Sequence, residues 1–545
     1  MDAKILGRLK DLNVDVTEIP NEKTREDVIL LFDGVERCVA EIVQLTEENQ
    51  QLKDEINRLK GEQGKPDIRP QKKESSDHSS EEERKRGGGA GKPKKSRKKK
   101  ANRQKVCRID KTSLPADAVF KGYDSVIIQG IIIEADNVEF KREVYYSPSE
   151  KKRYLAPLPT GYQGEFSPEL KAWILSLHYE SQMTEPAIHR FLSTAQIDIS
   201  PATISRILTD TMIPFHAEKQ EIVAAGLKSS HYQQIDDTSG RVNGKNHYTH
   251  VLCNPLYTAY FTRPHKDRLS VLEIINGGSL NFLVNEEAFE WMKSLGLPEK
   301  YWPQIQMLSA QTRSASLNRA QLDTLLEALF PNPDKHHKNR QIILEASALT
   351  AYRKREDAIK ILLCDDAPQF KNLTEFLSLC WVHEGRHYKK LKPFMAVNQR
   401  KQAQFLSEFW DYYHDVLSYK EAPDKTKAQQ LEQRFNVLFS QKTGYDLLDY
   451  RLAKTLAKKE NLLLVLKYPD LPLHNNAAEL GARRQARYRD ISLQTKNSKG
   501  TEAKDTMMTL CQTAQKWGVN FFEYLRDRLT GAFTMPSLAS LIWSG

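Results

Sequence analysis

Residues 358–370 read AIKILLCDDAPQF, and this stretch decides which architecture the sequence predicts. Its apolar run has no polar alternation, which is typical of a parallel β-strand buried on both faces. Two carboxylates, Asp365 and Asp366, follow directly where that strand should end. The stretch therefore predicts an α/β protein in which acids lie at the carboxyl edge of a central strand.

A second pair of acids, Asp236 and Asp237, follows another predicted strand. The segments HYQQIDDTSG (231–240), NHYTHVLCN (246–254) and YTAYFTR (257–263) read as three short strands joined by turn residues. The two acids lie at the end of the first. Because adjacent residues of a strand point to opposite faces, only one acid of each pair can face a common site.

A third acid, Glu479, lies within PLHNNAAELGARRQAR (472–487). The stretch reads as a helix that either asparagine of its NN pair could cap. Arg483 and Arg487 follow Glu479 at i+4 and i+8, on the same face. One interpretation is a surface ion pair worth a few tenths of a kcal/mol. The other is a phosphodiester site in which the acid helps to hold a metal and the arginines hold the backbone.

Acids at two strand ends and on one helix are what a two-metal phosphoryl-transfer site requires. Mg²⁺ prefers oxygen ligands and keeps open positions for a phosphate. Two such ions, about 4 Å apart, activate the attacking oxygen and stabilise the leaving one.

Length, net charge and cysteine spacing limit the classes of protein to which the chain can belong. A chain of 545 residues predicts several modules, and its net charge of +10 indicates a polyanionic partner. No run of about 18 apolar residues and no charged-then-apolar leader occur, so neither a membrane span nor secretion is expected. The six cysteines form no C-x2-C pair, which favours a reducing cytoplasm over disulfides or a four-ligand zinc site.

The N-terminal region predicts a coiled coil over about 24–61. β-branched residues at a, mostly Leu at d and a single Asn at a favour a parallel two-stranded coil. The alternative is one amphipathic helix packed on its own domain. The a positions are Val28, Val35, Ile42, Asn49 and Ile56, and the d positions are Leu31, Cys38, Leu45, Leu52 and Leu59.

Two segments of different character follow the coil. Residues 64–105 lose all periodicity and end in a run of lysines and arginines, which predicts a disordered basic linker that adds salt-dependent affinity for nucleic acid. Residues 106–160 predict a small β-rich domain, because VIIQGIIIEA (126–135) and VEFKREVYY (138–146) are strand-like.

Residues 161–228 predict three short helices that resemble a helix-turn-helix DNA-binding domain. The second helix spans about 184–192, and the third begins at Ser200 with Pro201 at its first position. The last helix of such a unit presents its N-terminal residues to base edges. A small helical bundle without DNA contact is the alternative. The residues expected to face DNA are Ser200, Ala202, Thr203, Ser205 and Arg206.

At this point the chain resembles a known family, the transposases of the bacterial insertion sequence 66 family, of the DDE class. The resemblance covers nearly the whole chain, since the zipper, basic tether and helix-turn-helix occur in that family's order. The matching motifs are IDDT, LLCDDA, CWVHEGRHYKKL, LHNNAAELGARR and GVNFFEYLRDRL.

The resemblance implies an α/β catalytic core of RNase H-like fold with large α-helical insertions. It assigns Asp236, Asp365 and Glu479 as the catalytic carboxylates and as ligands of two Mg²⁺ (or Mn²⁺) ions. It also implies hydrolysis at the element's ends and in-line attack of the freed 3′-hydroxyl on target DNA. Phosphates would be held by Lys389, Lys390, Arg483, Arg484 and Arg487.

The stretch between Asp236 and Asp365 is longer than the family's pattern, and helical patterns after the helix-turn-helix indicate insertions into the catalytic core. The catalytic core would comprise 229–270, 351–394 and the C-terminal helices of 469–545, interrupted by helical insertions at 271–350 and 395–468. Ahead of these lie the N-terminal segment 1–63, the linker and the small domain.

Two cysteine features concern zinc. The family's cysteine-rich segment ahead of the helix-turn-helix is reduced here to Cys107, so the small domain occupies only a degenerate zinc-finger-like position. Cys380 and His383 match the family's C-x2-H pair, expected in the strand after the second Asp. Two ligands do not close a zinc site, so packing and hydrogen bonding are expected and zinc is not.

The partners implied are double-stranded DNA, at terminal inverted repeats and at target sites, and small accessory proteins of the element. A homodimer would form through Ile42, Leu45, Asn49, Leu52, Ile56 and Leu59. The location would be the bacterial cytoplasm, with the nucleoid. The alternatives are a catalytically silent domesticated transposase that acts as a DNA-binding regulator, and an RNase H-like nuclease that cuts without joining.

Overall fold

The computed structural model of the protein describes residues 19–59, 101–110, 114–115, 118–131, 133–312, 315–393 and 395–545. The linker predicted over 64–105 lies outside these ranges except for 101–105. Among the described helices, none combines the length and the apolar composition that a bilayer crossing requires.

A single helix, α1 (Glu22–Leu59), forms the described N-terminal part. Its side chains Asp33 and Glu36 are buried. Asn398 Nδ2 donates to Asp33 Oδ1 at 2.7 Å and to Glu36 Oε2 at 3.0 Å. The side chains of Leu45 and Leu52 are 59% and 62% exposed. The first half of α1 therefore packs on its own chain, while pairing of its second half with another α1 stays a prediction.

The small domain contains a hairpin of β1 (Val144–Ser147) and β2 (Lys152–Leu155). The strand predicted over VIIQGIIIEA is wrong, because the described residues 126–131 and 133–135 form none. Ile128 is 84% exposed. The β-branched composition of the segment 126–135 favours a strand, but no described strand or apolar layer packs against this segment.

Four helices follow: α2 (Pro168–Tyr179), α3 (Glu185–Thr194), α4 (Pro201–Asp210) and α5 (Ile213–Lys228). The predicted start of the third helix is confirmed, since Ser200 Oγ accepts the N–H of Thr203 and Pro201 occupies the first turn. Ser167 and Thr184 cap α2 and α3 in the same way. A hydroxyl cap followed by proline thus fixes where these helices begin.

Among the described residues, five strands form the central mixed sheet in the order β5-β4-β3-β6-β7. β3, β4 and β5 are antiparallel neighbours, whereas β3, β6 and β7 run parallel. The three consecutive strands and the buried parallel strand predicted from sequence are thereby confirmed. The bounds are β3 Tyr232–Val242, β4 Lys245–Asn254, β5 Tyr257–Arg263, β6 Ile361–Cys364 and β7 Phe376–Leu379.

Helical segments interrupt the sheet twice. Between β5 and β6 lie α6 Arg268–Ile275, α7 Glu286–Ser294, α8 Trp302–Thr312, α9 Arg319–Leu329 and α10 His337–Arg353. After β7 lie α11 Trp381–Lys389, α12 Ala396–Glu421, α13 Lys425–Ser440, α14 Asp446–Leu456, α15 Lys459–Leu462 and α16 Leu464–Lys467. The chain then returns to the sheet through α17 Asn476–Ser492, α18 Ser498–Lys516, α19 Phe521–Leu529 and α20 Leu538–Ser544.

Helix α18 covers the sheet edge formed by β5. A strand at an edge has unpaired backbone N–H groups that need acceptors. Side chains one turn apart on α18 supply them, so the edge is closed by a helix. Asp505 accepts from the N–H of Thr262, Thr509 from that of Tyr260 and Thr513 from that of Thr258.

Candidate active site

Asp236 and Asp365 are brought side by side by the parallel pairing of β3 and β6. The last residues in register are Gln234 and Leu363. Both acids follow two residues later, just beyond the last paired residues. Asp236 does not end its strand as predicted, because β3 extends to Val242 in a hairpin with β4. The acids therefore lie at the carboxyl edge of the parallel pair.

Helix α17 lies on the sheet face to which Asp236 points. Asp236 is paired with Val251, and directly paired residues share a face. A Cβ at Gly481 would lie 2.6 Å from Val251 Cγ1, so the missing side chain allows helix and strand to approach closely. Tyr260, the next residue of that row, donates from its hydroxyl to the Gly481 carbonyl. Glu479, in the first turn of α17, is thus held over the acids.

Asn475 joins the elements that carry these acids. The sequence predicts a helix-capping asparagine here, but the Asn475 side chain makes no cap hydrogen bond. Its Nδ2 instead donates to the carbonyl of Ile235, at 2.7 Å. Its backbone N–H donates to Cys380 Sγ at 3.3 Å, and Trp381 N–H donates to the carbonyl of Leu473 at 2.9 Å. The loop before α17 is therefore tied to both β3 and α11.

The acids at this edge are poorly compensated. Burial raises the pKa of Asp236 to about 7, and the charges of Asp365, Asp237 and Glu479 add to the shift. Burial also raises the pKa of Asp365. Within the described part of the chain, no lysine, arginine or histidine forms an ion pair with either aspartate. Carboxylates that cluster without a neighbouring basic side chain are typical of a site that binds a divalent metal.

The neighbouring acids have other partners, as strand alternation predicts. Asp237 Oδ2 accepts a hydrogen bond from Gln369 Nε2 at 2.8 Å. Asp366 pairs with Lys458 at 2.7 Å and Lys371 at 3.2 Å. Burial opposes ionisation of Asp366, but these lysines outweigh it and lower its pKa. Asp237 and Asp366 thus have side-chain partners, whereas Asp236 accepts the backbone N–H of Asp237 and Asp365 accepts that of Ala367.

The strand expected around Cys380 and His383 is wrong beyond Leu379, where β7 ends. Cys380 is the N-cap residue of α11 and His383 lies in its first turn. The buried positions of this helix recur at helical spacing, which is why the run folds as a helix despite its aromatic and β-branched residues. Burial raises the pKa of the Cys380 thiol to about 11, against backbone hydrogen bonds that lower it.

Glu479 is contacted from α11 rather than from its own helix. Its Oε1 lies 3.5 Å from His383 Nδ1, and its Oε2 lies 3.4 Å from Arg386 Nη2. The alternative pairing with Arg483 does not occur among the described ion pairs, and Arg483 is exposed. Arg386 is absent from the residues that the sequence predicts for the site. Its i+3 spacing from His383 is the signal that could have indicated it.

The residues predicted to bind DNA fall into two groups. Arg206, Lys390, Arg483 and Arg487 are exposed. Others are engaged within the protein: Ser200 caps α4, Thr203 Oγ1 accepts from Arg206, Ser205 hydrogen-bonds Glu185, Lys389 is half-buried, and Arg484 Nη2 donates to the carbonyls of Tyr179 and Glu180.

The same helix that carries Glu479 is joined to α2. Tyr488 and His178 form a buried hydrogen bond, and Tyr179 stacks on Tyr488 with ring planes 2° apart. Burial lowers the pKa of His178 to about 4, so the imidazole is neutral at this junction. Together with Arg484, these contacts fix the three-helix unit against α17, which packs on the central sheet.

Comparison with known proteins assigns the family. The family model described as Transposase IS66 family matches residues 337–503, a range that contains Asp365, Cys380, His383 and Glu479. "Uncharacterized protein y4jO" of Sinorhizobium fredii (strain NBRC 101917 / NGR234) is 30% identical over 319 residues, which cover 56% of this chain and 94% of that protein. The chain therefore belongs to the IS66 family of transposases.

Proposed function

We propose that the protein is a DDE transposase that binds the ends of an insertion sequence and performs metal-dependent DNA cleavage and strand transfer. The observation that carries this proposal is the convergence of Asp236, Asp365 and Glu479. The first lies on β3, the second directly follows the parallel strand β6, and the third lies on the helix that packs on the same sheet face. Family membership adds the reaction class.

The strand order supports an RNase H-like core. An antiparallel meander of three strands is extended by two parallel strands on the side of its first strand. The candidate acids lie on the first strand, at the end of the fourth and on the helix that packs across them. In this assignment the helices between β5 and β6, and those between α11 and α17, are insertions.

The donor set fits hard divalent cations. Asp236, Asp365 and Glu479 offer carboxylate oxygens, which Mg²⁺ and Mn²⁺ prefer. Glu479 Oε1 is buried and has no hydrogen-bond partner among the described residues. Asp236 is held in a buried cluster of like charge. Two bound ions would supply Lewis-acid activation of the scissile phosphate and neutralise charge at the attacking and leaving oxygens.

The chain's own residues bind and orient DNA. The exposed side chains of Lys390, Arg483 and Arg487 contact phosphates, which positions the duplex without selecting its sequence. The unit α2–α4 acts as a helix-turn-helix, with Arg206 on the exposed face of α4 for reading ends. The exposed apolar side chains of α1, which include Leu45 and Leu52, pair with those of a second α1. Two ends of the insertion sequence are thereby held together in the bacterial cytoplasm.

Single substitutions test this assignment. Asp236→Asn, Asp365→Asn and Glu479→Gln should each abolish Mg²⁺- or Mn²⁺-dependent cleavage of element-end DNA while binding in a gel-shift assay persists. The matched control is Asp237→Asn, whose side chain faces Gln369 and which should retain most of the activity. Near-native cleavage by any of the three variants would show that the triad is misassigned.

The joining step separates the proposed function from its alternatives. Incubation of pre-cleaved ends with supercoiled plasmid should yield joined product. Cleaved ends without joining would indicate a nuclease. Binding without cleavage by the wild type, in either metal, would indicate a silent regulator.

A further inference from the structure

Cys380, His383 and Glu479 form a cluster that the proposed reaction does not use as a unit. One sulfur, one imidazole nitrogen and one carboxylate oxygen all lie within 4.8 Å of one another. The first two residues come from the start of α11, and the third comes from the start of α17. The fold therefore adds to the C-x2-H pair the third ligand that the sequence does not reveal.

We propose that this cluster binds a zinc-class divalent cation through Cys380 Sγ, His383 Nδ1 and Glu479 Oε1, with the fourth position left to water. A mixed sulfur, nitrogen and oxygen set suits Zn²⁺ and is unsuited to Mg²⁺. Tetrahedral zinc, with bonds of about 2.0–2.3 Å, spaces its ligand atoms roughly 3.3–3.8 Å apart, so atoms separated by up to 4.8 Å would have to close by about 1–1.5 Å.

The ligand atoms are available for a cation. His383 Nδ1 and Glu479 Oε1 are both buried and lack a hydrogen-bond partner among the described residues, although they lie 3.5 Å apart. Buried polar atoms are normally hydrogen-bonded, so a cation between these two would supply the close partner that each lacks. Cys380 Sγ accepts the backbone N–H groups of His383 and Asn475, which hold the sulfur in place at the start of α11; a bound cation would release the thiol proton.

The Arg386 guanidinium lies beside two of the proposed ligand residues, Glu479 and His383, where the positive charge of a bound cation would also lie. Its Nη2 lies 3.4 Å from Glu479 Oε2, and its Nη1 lies 3.2 Å from His383 Nε2. The Arg386 side chain is 46% exposed and can turn to solvent. Because the guanidinium and the cation compete for one carboxylate, removal of Arg386 should strengthen cation binding. A purely structural cluster would bind no cation with or without it.

Cobalt is a suitable probe, because a thiolate bound to Co²⁺ gives a near-ultraviolet charge-transfer band. Titration of the reduced full-length protein should develop this band with one ion per chain, and Zn²⁺ should bleach it. Cys380→Ser should abolish the band, and His383→Gln should weaken affinity at least about tenfold. Arg386→Gln should tighten binding. Matched controls are Cys511→Ser, a buried cysteine on α18, and His387→Gln, one turn further along α11.

The outcomes are separable from those of the cleavage assays, because no DNA is present. A band that survives Cys380→Ser, or that disappears equally in Cys511→Ser, overturns the site. Circular dichroism checks folding; if Cys380→Ser is unfolded, opposite affinity changes in His383→Gln and Arg386→Gln decide, and unchanged affinities overturn the proposal. Cobalt binding as expected, together with active triad variants, would retain this site and refute the proposed function.

One consequence does rest on the proposed function. Since Glu479 would serve both sites, Zn²⁺ equimolar with protein should inhibit Mg²⁺-dependent cleavage by the wild type more strongly than that by His383→Gln. Equal fractional inhibition of the two proteins would contradict the shared carboxylate.

Discussion

The side-chain amide of Asn475 donates a 2.7 Å hydrogen bond to the backbone carbonyl of Ile235, the residue immediately before Asp236. Asn475 is fully buried and directly precedes α17. One side chain therefore sets the position of the strand that carries one candidate catalytic acid against the helix that carries another.

Asn475→Ala should lower both stability and cleavage. Loss of the donor leaves the Ile235 carbonyl buried and unpaired, which costs about 1–3 kcal/mol of unfolding free energy. We expect a lower midpoint in urea denaturation and a reduced kcat, with unchanged affinity for element-end DNA. Asn436→Ala, on an exposed part of α13, serves as control. An unchanged kcat would show that this bond does not position the acids.

Gly481→Ala should separate α17 from β4. The new Cβ would lie 2.6 Å from Val251 Cγ1, so the helix must shift, at a cost of about 1–3 kcal/mol. Gly34→Ala is the matched control, because nothing lies within 4 Å of its Cβ and alanine favours the helix. Thermal denaturation should show a loss of stability for the first variant only. Equal midpoints for the two variants would contradict the tight helix–sheet contact.

The buried charge of Asp236 should make stability depend on pH. The ordinary pKa of an aspartate is 3.8, but burial raises the pKa of Asp236 to about 7. The folded state thus binds the proton more tightly than the unfolded state, so stability falls as pH rises from about 4 to about 7. Without metal, Asp236→Asn should exceed the wild type by about 2 kcal/mol at pH 8, a value reduced for partial exposure.

Two further measurements check the origin of that difference. It should vanish near pH 4, where both folded proteins are uncharged at this position. Mg²⁺ should raise the melting temperature of the wild type at pH 8 and leave that of Asp236→Asn nearly unchanged. A difference that grows at low pH would have the wrong sign and would exclude this explanation.

Two adjacent arginines should behave differently. Arg484 holds the carbonyls of Tyr179 and Glu180, so Arg484→Ala should cost about 1–2 kcal/mol of stability. Arg483 is exposed, so Arg483→Ala should leave stability within about 0.5 kcal/mol. Its DNA affinity should fall, and the salt dependence of log K should become shallower by about one unit. The reverse pattern would show that the two roles are exchanged.

Asn398→Asp should release α1 from α12. Its amide now donates to both Asp33 and Glu36, and an aspartate would place a third carboxylate among them. Burial already raises the pKa of Asp33. We expect faster tryptic cleavage within α1 than in Asn436→Asp. Equal cleavage rates would mean that these bonds do not hold the helix.

The sheet was predictable because its strands have local signals. The unbroken apolar run before Asp365 can hardly be anything but a buried strand, and alternation alone limits each acid pair to one member at the site. Local sequence patterns gave the wrong secondary structure where tertiary contacts decide whether a segment forms a strand or a helix. The run around Ile128 has strand composition but no described partner, and the residues after Leu379 form a helix whose buried face is seen only at a spacing of three and four.

The position of Glu479 near the start of a helix was predictable from its motif, but its surroundings were not. The i+3 spacing places Arg386 on the same helix face as His383, but its contact with Glu479 arises because α11 and α17 start side by side, which the sequence does not show. The role of Asn475 is hidden for the same reason, since a capping asparagine and one that bonds a distant strand look alike in sequence. Such contacts depend on tertiary packing.

Helix α17 carries Glu479 in its first turn and meets α2 through Tyr488 further along. Because the helix is unbroken, these points are held about 14 Å apart by a rise of about 1.5 Å per residue. Under the proposed function, helix α17 thus sets the distance along the DNA between the recognised sequence and the bond that is cleaved. Displacing the recognition sequence by one base pair, about 3.4 Å, would present a different phosphate to the acids. Cleavage would then depend on the spacing between the recognition sequence and the cleaved bond as well as on the recognition sequence itself.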